Sequence, residues 1–137
     1  MNMSTEKSDY MLLFRGTAWD RGLSPEELQK VVTDWYKWFD GLIKDGRAIS
    51  GHPLMEEGKV VTGKKGRSVA DGPFAESKEA IGGYFYLRVS GMDEAVEIAQ
   101  QCPGLDYGIA VEVRPVADMC AVKQRLESQT AGELVAA

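Results

Sequence analysis

The chain has 137 residues, 44% hydrophobic and 27% charged, which predicts one soluble globular domain with a core of its own. A net charge of −5 weighs against nucleic acid as a partner, because phosphate binding needs a basic patch. No apolar run approaches the roughly 20 residues of a membrane span, so no membrane association is expected.

Met1 to Asp9 is polar, lacks the apolar core of a secretory signal, and reads as a disordered lead-in. Cys102 and Cys120 are too few for a disulfide framework; free thiols in a reducing cytoplasm are expected. Tyr10 to Arg15 is a short apolar run with aromatics, bounded by Gly16, and predicts a buried strand.

Ser24-Pro25-Glu26-Glu27 is a helix start. Ser24 is the N-cap, Pro25 takes the first helical position, and Glu27 stands where a capping box needs it. Leu28, Val31, Val32, Trp35, Trp38, Phe39, Leu42 and Ile43 then form one apolar stripe of helical period, ended by Gly46. Tryptophans on such a stripe are expected to be core.

Arg47 to Met55 is extended and carries His52, the single histidine, held out of the helical region by Pro53. Val60-Val61-Thr62 and Arg67-Ser68-Val69 flank Gly63-Lys64-Lys65-Gly66 and predict a hairpin with a basic tip. Asp71-Gly72-Pro73-Phe74 is turn chemistry, followed by Glu76 and a short helical turn over 75–80. Tyr84 to Val89 is a strand with Tyr84, Tyr86 and Arg88 on one face and Phe85, Leu87 and Val89 on the other. Ser90 opens a second helix that Pro103-Gly104 ends. A last strand covers 106–116, with Glu112 and Arg114 on its mixed face. A short helix over 117–126 leads into a frayed tail, so the domain spans 10–117 and an extension 118–137.

The order is the ferredoxin-like βαββαβ pattern, an α+β fold, with a hairpin inserted after the second strand. Two helices cover one face of a four-stranded sheet. The other, carrying Tyr84, Tyr86, Arg88, Glu112 and Arg114, is expected to meet a second copy and enclose a partly polar cavity in a homodimer.

Tyr10-Met-Leu-Leu-Phe14, the Ser-Pro-Glu-Glu helix start, Gly51-His-Pro-Leu54, 71–79 (DGPFAESKE), 81–85 (IGGYF), Met92-Asp-Glu-Ala-Val96, Cys102-Pro103 and 111–116 (VEVRPV) together resemble the YCII-related family in its DGPF-domain branch. The resemblance implies a dimeric α/β-barrel of the ferredoxin-like kind. It also implies a His and Asp pair in the cleft as a candidate catalytic dyad, and a regulatory or accessory role beside sigma factors as an alternative to catalysis.

The hairpin brings the chain back from His52 to Asp71, so these two are the candidate catalytic residues. A carboxylate beside an imidazole orients the ring and sets up a general base. With Phe74, Glu76, Tyr84, Tyr86, Arg88 and Arg114 as candidate ligand-binding residues, the set suits isomerase- or lyase-like proton transfer on a small anionic or aromatic molecule. No metal or other cofactor is expected. One histidine among scattered carboxylates lacks ligand spacing, and Gly82-Gly83 leads into a strand rather than a phosphate-binding helix.

Overall fold

A computed structural model describes residues 6–16, 18–72 and 80–136, with side chains described as far as residue 130. The elements in chain order are β1 (Ser8–Arg15), α1 (Pro25–Lys44), β2 (Ala48–Pro53), β3 (Lys59–Thr62), β4 (Ser68–Asp71), β5 (Ile81–Val89), α2 (Met92–Ala99), β6 (Ala110–Pro115) and α3 (Ala121–Ala136). The four long strands form an antiparallel sheet in the order β2-β5-β1-β6, and β3 and β4 pair in a two-stranded sheet of their own. This is a mixed α+β architecture consistent with a ferredoxin-like fold.

The ends of α1 follow from local chemistry. Ser24 Oγ accepts from the Glu27 amide at 3.1 Å, and the Glu27 carboxylate accepts from the Ser24 amide at 3.0 Å, satisfying two amides that the first turn leaves unpaired. At the other end Gly46 takes φ +75°, where the absence of a Cβ removes the steric penalty. Its amide bonds Ile43 O, and the Arg47 amide bonds Leu42 O at 2.9 Å, closing a Schellman motif.

The core lies on one face of the sheet. Leu12 and Phe14 of β1, Phe85, Leu87 and Val89 of β5, Leu42 of α1, and Ala95, Ile98 and Ala99 of α2 pack as one buried cluster. The period of β1 is visible in its burial: Tyr10, Leu12 and Phe14 are buried, while Asp9, Met11 and Leu13 between them are half-buried on the far face. On α1 the stripe is narrower than its apolar residues suggest. Val31 and Leu42 are buried, Trp35, Trp38 and Phe39 are partly buried, and Val32 and Ile43 are exposed.

Four elements depart from the sequence expectation. β1 begins at Ser8, so Asp9 lies in the strand and not in a lead-in. β4 reaches Asp71, which pairs with Lys59 across the hairpin instead of sitting in the turn. β6 begins at Ala110, because Pro103–Tyr107 winds as a 3-10 turn that ends at Gly108, at φ +94°. α3 runs on to Ala136, its Ala, Leu, Glu, Gln, Lys and Arg content favouring helix without any apolar stripe. Residues 121–130 of α3 are exposed throughout. Cys102 is buried and Cys120 exposed, both as free thiols; burial pushes the Cys102 thiol up to about 11.

Candidate functional site

A cleft of about 300 Å³ opens on the helix-covered side of the sheet, where β1 and β2 end and β5 begins. Phe14 and Gly16 come from the end of β1, Trp19 from the loop after it, and Val31, Val32, Trp35, Tyr36 and Phe39 from α1. Gly51, His52 and Pro53 of β2, Gly82 to Phe85 of β5, and Ile109 complete the lining.

Two glycines set its shape. A Cβ on Gly51 would lie 2.7 Å from Phe85 Cδ1 and 2.9 Å from Phe39 Cε1, so a side chain there would collide with both rings. A Cβ on Gly104 would lie 2.8 Å from Trp35 Cζ3, so the Trp35 ring sits over a glycine. Trp35 then stacks on Trp19 with centroids 5.9 Å apart and meets Phe14 edge-on at 5.2 Å. Such aromatic geometry gives a wall with fixed ring orientations.

His52 and Tyr84 also lie along this cleft, but strand register turns their side chains to the far face of the sheet, with Leu13 and Tyr86, while Gly51 and Phe85 face α1. They are cross-strand partners on β2 and β5, and His52 Nδ1 lies 2.9 Å from the Tyr84 hydroxyl. The edge strand leaves His52 exposed. The shared proton sits on either group according to the imidazole tautomer.

The remaining sequence candidates are distributed as follows. Asp71 forms its ion pair with Lys59 on the hairpin and is exposed, so His52 and Asp71 have different polar partners. Phe74 and Glu76 lie outside the described residues. Tyr86 and Arg88 meet at one carboxylate on the far face of the sheet. The Tyr86 hydroxyl donates to Asp9 Oδ2 at 2.6 Å, and Arg88 donates to Asp9 through Nε at 2.8 Å and a terminal nitrogen at 3.2 Å. The Arg88 bonds, then the Tyr86 bond, hold the Asp9 carboxyl down at about 2. Arg114 and Arg15 share Glu112, at 3.1 and 3.2 Å.

The sequence reading missed Trp19, Tyr36, Phe39 and Gly51 as cleft residues, and Asp9 as the partner of Arg88. The Gly51-His52-Pro53 run was a usable signal, since a glycine inside a strand marks close approach of other groups. Nothing local signalled Asp9, whose partners stand 77 and 79 residues away. Among the described residues, no cluster of three or more His, Cys, Asp or Glu is placed to hold a metal ion, and no helix is long and apolar enough to cross a membrane.

A family model for the YCII-related domain matches residues 10–120. No curated protein matches the chain.

Proposed function

The chain belongs to the YCII-related domain family, and we propose that it binds a small ring-bearing molecule in the cleft between α1 and the ends of β1, β2 and β5. The observation that carries this reading is the concave wall formed by Phe14, Trp19, Trp35, Tyr36 and Phe39, with the hydrogen-bonded His52–Tyr84 pair on the far side of the same strand ends. Few polar groups set into a mostly apolar concavity are the usual composition of a small-molecule site.

His52 is the candidate general base and Tyr84 its positioning residue. A base at Nε2 requires Nδ1–H to donate to the Tyr84 oxygen, which leaves Nε2 with its lone pair. In that state the imidazole takes a proton from a bound molecule and returns it elsewhere, the step that isomerases and lyases share. Asp71, Phe74 and Glu76, which follow the hairpin in sequence, complete the site in this proposal, and the Asp71-Gly72-Pro73-Phe74 sequence supports membership of the DGPF branch.

The proposal includes a cytoplasmic homodimer, joined through the far face of the sheet. That face carries half-buried Met11 and Leu13 between the Asp9 and Glu112 ion pairs, and no helix of the core covers it. A second reading, a non-enzymatic regulatory or accessory module associated with sigma-factor regulation, draws on the hairpin, where Val60, Val61 and Val69 are exposed.

Thermal-shift screening with a broad set of small cyclic compounds separates the two. A ligand that binds only the folded state stabilises it by mass action, by about 2.7 kcal/mol at a hundred times its Kd. Concentration-dependent stabilisation by at least one compound is expected; no shift from any compound would favour the module.

A further inference from the structure

We infer that the β3–β4 hairpin is an arm that clasps α2 of a second copy of this chain, setting its valines and basic tip against the apolar and acidic outer face of that helix. This adds a contact to the homodimer proposed above and rests on that part of the proposal. The first ground is the bareness of the hairpin. β3 and β4 form a sheet of two strands only, and every residue of both is exposed. Val61 and Val69 are cross-strand partners on one face and Val60 lies on the other, at 60%, 60% and 43% exposure. A two-stranded hairpin is marginally stable in water unless a further layer covers it. Among the described residues the chain supplies no such layer to either face.

The second ground is charge. Lys59, Lys64, Lys65 and Arg67 against Asp71 give residues 59–72 a charge of +3 in a chain of net −5, which leaves −8 on the remainder. Lys64, Lys65 and Arg67 make no ion pair among the described residues. The complementary element is α2, which carries Asp93, Glu94 and Glu97 and no Lys or Arg. On its outer face Met92 and Val96 are exposed one turn apart, beside exposed Asp93 and Glu97. Those two carboxylates also make no ion pair among the described residues. The third ground is placement. The hairpin is inserted between β2 and β5 at the β2 edge of the sheet, whereas α2 packs on β1, β5 and β6. Within one chain the hairpin and α2 therefore leave each other uncovered. A second copy supplies one α2 to each arm, and two such reciprocal contacts close about a twofold axis.

The test is sedimentation equilibrium of the full chain, reading the dimer Kd of wild type, an arm variant (Lys64→Glu with Arg67→Glu), a helix variant (Asp93→Lys with Glu97→Lys) and the combination of all four substitutions. The wild-type Kd is expected to rise at least about fivefold between about 50 and 500 mM salt. Each variant alone sets like charges against each other and is expected to weaken the dimer at least about tenfold, while the combination returns to within about threefold of wild type. All four positions are exposed, so the core is untouched; circular dichroism checks that α2 persists, and the arm variant decides alone if it does not. A salt-independent wild-type Kd, or an arm variant with the wild-type Kd, overturns the inference, leaves the homodimer standing and returns the hairpin to the accessory-module reading. Two weakened variants whose combination stays weak overturn the pairing of these two surfaces. A wild type that is monomeric throughout overturns the inference and the homodimer together.

Discussion

The carboxylate of Asp9 accepts from Arg88 at both oxygens and from Tyr86 at one, which explains why it stays ionised far into acid. Its pKa falls from an ordinary 3.8 to about 2, chiefly through the Arg88 bonds and then the Tyr86 bond. A carboxyl whose folded value is depressed contributes stability above its unfolded value and loses that contribution as pH falls through its folded value. The Asp9 contribution is therefore full above about pH 4 and gone below about pH 2. Asp9→Asn should lower the urea midpoint at pH 7, and the gap from wild type should close between those limits. A gap of constant size across that window would mean that ionisation of Asp9 is not its cause. The phenol of Tyr86 is pushed up by the same bond, so it remains a donor at neutral pH. Asp9 was invisible in the sequence because a polar N-terminal segment carries no sign of a partner 79 residues on. His52 was legible, being the single histidine and fixed before Pro53, but its partner was not. Strand register decides that Tyr84 faces it, and register is set by pairing across the whole sheet.

At the scale of the element, α1 was the most legible part of the chain. Cap, first-turn proline, N3 glutamate and terminating glycine all lie within the helix or one residue beyond its cap. Ser24→Ala removes the acceptor for the Glu27 amide and should cost about 1 kcal/mol, measured as a lower denaturant midpoint with an unchanged slope. An unchanged midpoint would show that water replaces the cap without loss. The stripe on α1 was legible as apolar but not as divided. Leu42 is core, whereas Trp35 and Phe39 both pack on the core and line the cleft. Hydrophobic period cannot separate these roles, since both need the same side-chain chemistry. β6 was read too long because apolar alternation continues through Ile109. Gly108, at φ +94°, ends the preceding turn and delays the strand to Ala110. The hairpin was legible as a pair of strands, while the reach of β4 to Asp71 follows from a register that pairs it with Lys59.

For the molecule as a whole, the order of strands and helices was readable because each element announces itself locally, and a four-stranded antiparallel sheet with two packed helices follows from that order. The cleft was expected on the far face with Tyr86, Arg88 and Arg114. A cleft of the described residues lies on the helix side, where Gly51 and Gly104 let the Phe39, Phe85 and Trp35 rings approach, whereas the cavity expected on the far face belongs to the proposed pairing with a second copy. The far face retains its proposed role as the surface that meets a second copy. Light scattering at micromolar protein should give twice the 15.1 kDa chain mass, and a strictly monomeric mass would remove that part of the account.

Filling the cleft under α1 shows whether a small molecule occupies it. Val32 lies on the cleft wall and is 39% exposed, so Val32→Trp adds bulk there without entering the core. The melting temperature of wild type and variant should be measured with and without the best compound from the thermal-shift screen. Unliganded melting temperatures are expected to agree closely, and the variant is expected to lose the ligand-induced rise. An equal rise in both proteins would place the ligand elsewhere and contradict the account.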